Sequence, residues 1–106
     1  MKTGELKVYA HIWEARPHVS EISGTQLFPR EHKYWHWQFS HTLAKGAFGL
    51  FRLREDNIVL MTMAEHKFWE NFVELSKNTK MYLNHKDKWD ALLKKYEDLK
   101  TEYFAQ

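Results

Sequence analysis

The chain predicts an α+β fold: an antiparallel sheet of four to five strands followed by two C-terminal helices packed on one face. Three observations carry that expectation. Tyr34-Trp35-His36-Trp37-Gln38-Phe39-Ser40 alternates strictly, sending Trp35, Trp37 and Phe39 one way and Tyr34, His36, Gln38 and Ser40 the other. That is the period of a strand. Apolar runs bounded by glycine, proline or charged corners recur on both sides of it as far as Met63. From Thr62 onward the apolar spacing changes to three and four, the spacing of helices.

Taken in order, Leu6–Trp13 reads as the first strand, with Leu6, Val8, Ala10 and Ile12 on one face and Lys7, Tyr9, His11 and Trp13 on the other. Pro17 closes it, because proline lacks the N–H a ladder needs. His18–Arg30 contains Gly24 and Pro29 and reads as a loop with a short strand at Val19–Ile22. The central strand runs from about His32 to His41, and Ala44-Lys45-Gly46 supplies a turn. Phe48–Arg54 and Asn57–Met63 are apolar on both faces and flank the polar corner Glu55-Asp56-Asn57, as covered central strands do. Thr62-Met63-Ala64-Glu65 has the spacing of a capping box. Phe68, Trp69, Phe72, Val73 and Ser76 then form the stripe of a helix reaching Lys77, ended by Asn78 and Thr79. Asn84 and Asp87 start a second helix, with Trp89, Leu92, Leu93, Tyr96, Leu99 and Tyr103 on one side and Lys94, Lys95, Asp98 and Glu102 facing water.

The 106 residues fit a single domain, 1–106, with the sheet in 1–63 and the two helices in 64–106. Five Trp, five Tyr and seven Phe give it ample apolar area, and more than a small interior needs. The net charge of +2 is too small to argue for nucleic acid by bulk electrostatics. Without cysteine there are no disulfides, thiolate metal sites or thiol nucleophiles. No apolar run approaches the roughly 20 residues of a membrane span, and no signal-peptide core is present, so a soluble cytoplasmic protein without a membrane partner is expected.

Seven histidines are a high count for this length and raise the question of a metal site. On a strand His32 and His36 lie about 13 Å apart, too far to share one zinc ion. His11 and His36 across strands, completed by Glu14 or His66, are the remaining combination; hydrogen-bonded or surface histidines are the simpler account, and no metal or other cofactor is expected. No phosphate-binding glycine loop, G-x-S-x-G or H-E-x-x-H is present.

If two helices cover one side of the sheet, the other side presents Tyr9, His11, Trp13, Tyr34, His36 and Gln38, joined by Arg52 and Arg54. A face of rings bordered by guanidinium groups is an interaction surface unless something covers it. Residues 17–31, a second copy of the chain or another ligand are the three candidates for that cover. The reading is a small non-catalytic binding protein that recognises a protein partner, its own twin included, with Trp13 and Tyr34 as anchors. Size, absence of cysteine and aromatic richness also suit an accessory protein of a phage or mobile element that binds and inhibits a host factor. The alternative is single-stranded nucleic acid or a nucleotide on the same face. The third is a phosphodiesterase with His11 and His36 as base and acid and Arg52 steadying phosphate charge.

Overall fold

A computed structural model of the chain describes residues 4–70 and 79–106. Among them, the regular elements are α1 (Glu5–Ala15), β1 (Phe39–His41), β2 (Ile58–Leu60), α2 (Met63–Glu70), α3 (Lys80–Leu83) and α4 (Lys86–Phe104). Single turns of 3-10 helix occupy Trp35–Gln38, Gly49–Phe51 and Glu55–Asn57. β1 and β2 pair antiparallel, with Phe39 opposite Leu60, Ser40 opposite Val59 and His41 opposite Ile58. The expected sheet of four to five strands is therefore corrected to two short strands among helices. Among the described residues no helix is long and apolar enough to cross a membrane.

The largest departure is Leu6–Trp13, which is helical. Its alternation hides a second pattern: Glu5, Tyr9, Ile12 and Trp13 fall on one side of a helix and are the residues α1 buries, while Leu6 is exposed. Gly4 precedes the helix at φ +91°, where an L side chain is strained. A Cβ there would also stand 3.0 Å from Leu53 Cδ1. Pro17 does end the element. Arg16 before it is extended, as a residue preceding proline prefers, and its N–H still bonds the Ile12 carbonyl.

Most of the central segment is also not a strand. Trp35–Gln38 turns as 3-10 helix, so Trp35 and Phe39 face inward while Trp37 is 51% exposed. Buried Gln38 holds this turn against the preceding loop: its Oε1 accepts from the Phe28 N–H at 2.6 Å, and its Nε2 donates to the Phe28 and Trp35 carbonyls at 3.2 Å each. Asn57 does the same for the next loop. Its Nδ2 donates to the Leu43 and Phe51 carbonyls, and its Oδ1 accepts from the Leu43 N–H at 2.7 Å. Residues 48–54, read as a strand, are held as a turn by this amide, and only 58–60 of the proposed last strand pairs.

The capping box is present. Glu65 N–H donates to Thr62 Oγ1 at 3.2 Å, and Thr62 N–H donates to Glu65 Oε1 at 2.8 Å. Phe72, Val73, Ser76 and Lys77 of the proposed first helix lie outside the described residues. Thr79 starts α3, accepting from the Tyr82 N–H, whereas it was read as ending a helix. α4 begins after His85 rather than at an Asn84 cap, and buries Trp89, Leu92 and Leu99 of the predicted seam.

The two-stranded sheet divides the interior. On one side Phe39, Ile58 and Leu60 pack with Tyr9, Ile12 and Trp13 of α1 and with Leu27 and Trp35. On the other, Val59 and Met61 pack with Ile22, Trp69, Tyr82, Trp89 and Leu92. Each fully buried large side chain contributes about 1.5–3 kcal/mol relative to exposure, so these clusters hold α1 and α4 to opposite faces of the strands. Ile22 and Leu27 show what the 17–31 segment does: it supplies one residue to each cluster.

Candidate functional site

A cleft of about 1010 Å³ opens beside β1. Phe39, Ser40, His41 and Thr42 line it in succession. Glu5 and Tyr9 enter it from α1, His66, Trp69 and Glu70 from α2, and Tyr96 from α4. Lys45 and Phe48 stand on the loop that Asn57 fixes, and His36 and Trp37 on the 3-10 turn. The volume is at the upper end for small-ligand pockets, which span about 300–1,000 Å³.

The polar groups are unevenly satisfied. Glu5 is 2% exposed, with Lys45 Nζ at 3.4 Å and Arg52 Nη1 at 3.7 Å. Burial, with a smaller contribution from the Glu5 carboxylate, pushes the Tyr9 hydroxyl up to about 12. His41 Nε2 donates to the Arg52 carbonyl at 2.8 Å. Burial nevertheless holds that imidazole below its usual 6.5: the Arg52 carbonyl works against the lowering and Lys45 adds to it. His66 Nδ1 is 2.7 Å from the Trp37 carbonyl and its Nε2 is 3.3 Å from Glu70 Oε2. Trp69 Nε1 donates to the His41 carbonyl at 3.2 Å. The hydroxyls of Ser40 and Thr42 are buried without a hydrogen-bond partner among the described residues.

The residues expected to share one sheet face are dispersed, because residues 5–15 form a helix and 35–38 a 3-10 turn. Tyr9 is buried and stacks on Phe39 with ring centroids 4.3 Å apart. Trp13 is buried between the His18 ring, stacked at 3.8 Å, and the edge-on Trp35 at 5.8 Å. His11 is exposed on α1, its Nδ1 2.8 Å from Glu55 Oε2, and is not among the residues lining the cleft. Tyr34 is 38% exposed, and His36 lines the cleft. Arg52 sits by Glu5, and Arg54 grips Asp56 and Glu102 while its guanidinium covers the Phe51 ring. Hydrogen bonding from Arg54 holds the Asp56 carboxyl below the usual range. Of these residues, only Tyr9 and His36 meet in the cleft. Among the described residues no three His, Asp or Glu side chains group as a metal site.

What the sequence leaves unmarked is the set formed by Glu5, Trp37, His41, Lys45 and Trp69, whereas His66, a candidate ligand beside His36, does line the cleft with it. Trp37 was assigned inward by its alternation with His36, and only the 3-10 geometry turns it out. Lys45 was visible as the middle of a glycine-containing turn, though nothing in the sequence ties it to Glu5. Before the 3-10 turn the chain runs as a cationic, aromatic loop whose side chains are not among those lining the cleft. Phe28, 39% exposed, stacks on His32 at 4.0 Å; Lys33 Nζ stands 4.9 Å from the Tyr34 ring and the Arg30 guanidinium 5.6 Å from Trp35. Neither Arg30 nor Lys33 has an acidic partner among the described residues.

No protein-family model, curated protein or solved structure matches this chain.

Proposed function

We propose that this chain is a small non-catalytic binding protein that recognises a protein partner through a lip made by the 3-10 turn beside the cleft and the loop before it, with Trp37 and Tyr34 as its anchors. The observation that carries the reading is the exposure of those two rings, 51% and 38%, with Lys33 over Tyr34 and Arg30 over Trp35 in the same stretch, both cations without acidic partners among the described residues. Large rings left in water next to unneutralised charge favour a partner surface that is apolar at its centre and acidic at its border. The surface differs from the sheet face expected from the sequence. It keeps Tyr34 and His36, loses Tyr9 and Trp13 to the core, and gains Trp37, Arg30 and Lys33.

The test is a displayed library of random 12-residue peptides panned against the full chain. Selected peptides should carry acidic and aromatic residues. Trp37→Ala or Tyr34→Ala should weaken them by about 2 kcal/mol or more, the loss typical of an aromatic hot spot, or about thirtyfold in Kd. Unchanged affinity in both variants would sink the reading. Single-stranded nucleic acid is the second reading, favoured by Lys33 poised over the exposed Tyr34 ring, on which a base could stack. Binding of an oligothymidylate that weakens steeply as salt rises would favour it instead.

A further inference from the structure

We infer that the cleft takes an extended peptide segment of the partner as an added strand along the outer edge of β1. The inference rests on the proposed protein-binding role and names its mode. In an antiparallel pair, alternate residues direct both backbone groups at their neighbour. Thr42 N–H bonds the Asn57 carbonyl and Met61 N–H bonds the Gln38 carbonyl, which fixes Gln38, Ser40 and Thr42 as the residues turned toward β2. Phe39 and His41 therefore turn their backbone away from it. That outer edge lies along the cleft, since four successive residues, of both side-chain directions, line it.

The two outer edges of the sheet are treated differently. The β2 edge is closed by the chain itself. Glu21 N–H donates to the Leu60 carbonyl at 2.8 Å, Leu60 N–H donates to Glu21 Oε2 at 2.7 Å, and Arg16 Nη1 donates to the Ile58 carbonyl at 2.6 Å. On the β1 edge the Phe39 N–H bonds the His36 carbonyl and the Trp69 indole bonds the His41 carbonyl. The Phe39 carbonyl and the His41 N–H are left without a partner among the described residues. These two groups flank Ser40. They form the acceptor and donor that one residue of a parallel strand satisfies together, giving its N–H to the first and its carbonyl to the second. A pocket that recognises side chains does not need this pair; another backbone does. Strand addition of this kind draws affinity from main-chain bonds and specificity from pockets on either side, and Trp37, Trp69 and Phe48 provide aromatic walls for alternate side chains.

The experiment uses the full 15N-labelled chain and one of the selected 12-residue peptides. On binding, the His41 amide should shift in the spectrum and its hydrogen exchange should slow by about tenfold or more, as for an amide newly bonded. A scan of single N-methyl groups along the peptide should find one position, facing the Phe39 carbonyl, that lowers affinity by about tenfold, with its immediate neighbours tolerant. Because the modification is on the peptide, folding of the protein is not in question. A peptide that binds yet leaves the His41 amide and its exchange unchanged overturns strand addition. If such a peptide still depends on Trp37 and Tyr34, the protein-binding reading survives without it. A His41 response indifferent to both lip substitutions supports strand addition and refutes the lip. Recovery of no binding peptide overturns both.

Discussion

Replacing Trp13 and Trp37 by alanine, one at a time, separates the observed packing from the sheet expected of the sequence. The expected sheet turns Trp13 out and Trp37 in; the structure does the reverse, with Trp13 6% and Trp37 51% exposed. Trp13 contacts the stacked His18 ring, the edge of Trp35 and the tilted Phe39 ring 6.4 Å away. Its removal leaves a cavity in the cluster that fixes α1, and such Trp→Ala changes cost about 3–5 kcal/mol. A domain of this size has about 5–15 kcal/mol of stability in total, so Trp13→Ala should move the urea midpoint far or leave the chain partly unfolded. Trp37 has half its surface in water and touches His36 at 5.3 Å. Its loss should stay within about 1 kcal/mol, as for ordinary surface positions. Urea unfolding followed by far-ultraviolet circular dichroism measures both. A costly Trp37→Ala beside a neutral Trp13→Ala would refute the helical assignment of residues 5–15.

Two further outcomes follow from the buried polar groups. Glu65 Oε1 accepts from Ser20 Oγ at 2.6 Å as well as from the Thr62 N–H, tying the 18–27 loop to the start of α2. Glu65→Ala removes both and should cost about 2–3 kcal/mol, read as a shift in urea midpoint; in a double-mutant cycle Ser20→Ala should cost less in the Glu65→Ala chain than in the parent, and full additivity would deny the coupling. For His41, the folded ring is held below its usual 6.5, so on acidification the unfolded chain takes up this proton first. Its contribution is intact above pH 6.5 and is lost progressively as pH falls from there toward the lower folded value. Urea midpoints across that range should fall less steeply in His41→Asn than in the parent chain, and an equal or steeper fall would contradict the burial.

The parts of the fold that were legible are those where one period has no rival. Trp89, Leu92 and Leu99 recur at helical spacing over a segment too long for a strand, and α4 buries them. Thr62 and Glu65 name their own partners three residues apart, and the box forms. Leu6–Trp13 was illegible because it satisfies both periods. Every second residue is apolar, and so is the set at 5, 9, 12 and 13 once Glu5 is allowed to be buried between Lys45 and Arg52. Those two cations come from 40 and more residues away, so nothing local could settle the choice. The loops were illegible for a related reason. Gln38 and Asn57 look like solvent-facing or turn residues, yet each is buried and provides the bonds that a ladder would otherwise supply.

The helical state of residues 5–15 and the cleft beside β1 are linked. A strand at 6–13 paired with the central segment would have met the Phe39 carbonyl and the His41 N–H with backbone of its own and closed the edge. As a helix, the same residues reach β1 only through side chains: Tyr9 stacks on the Phe39 ring, and Glu5 and Tyr9 form one wall of the cleft. A helix has already spent its N–H and carbonyl groups on itself, so it can cover the face of a sheet but cannot complete its ladder. The open edge is thus a consequence of which period wins in the first fifteen residues. Any substitution that favours extended structure there should weaken the core and remove the room for an incoming strand together.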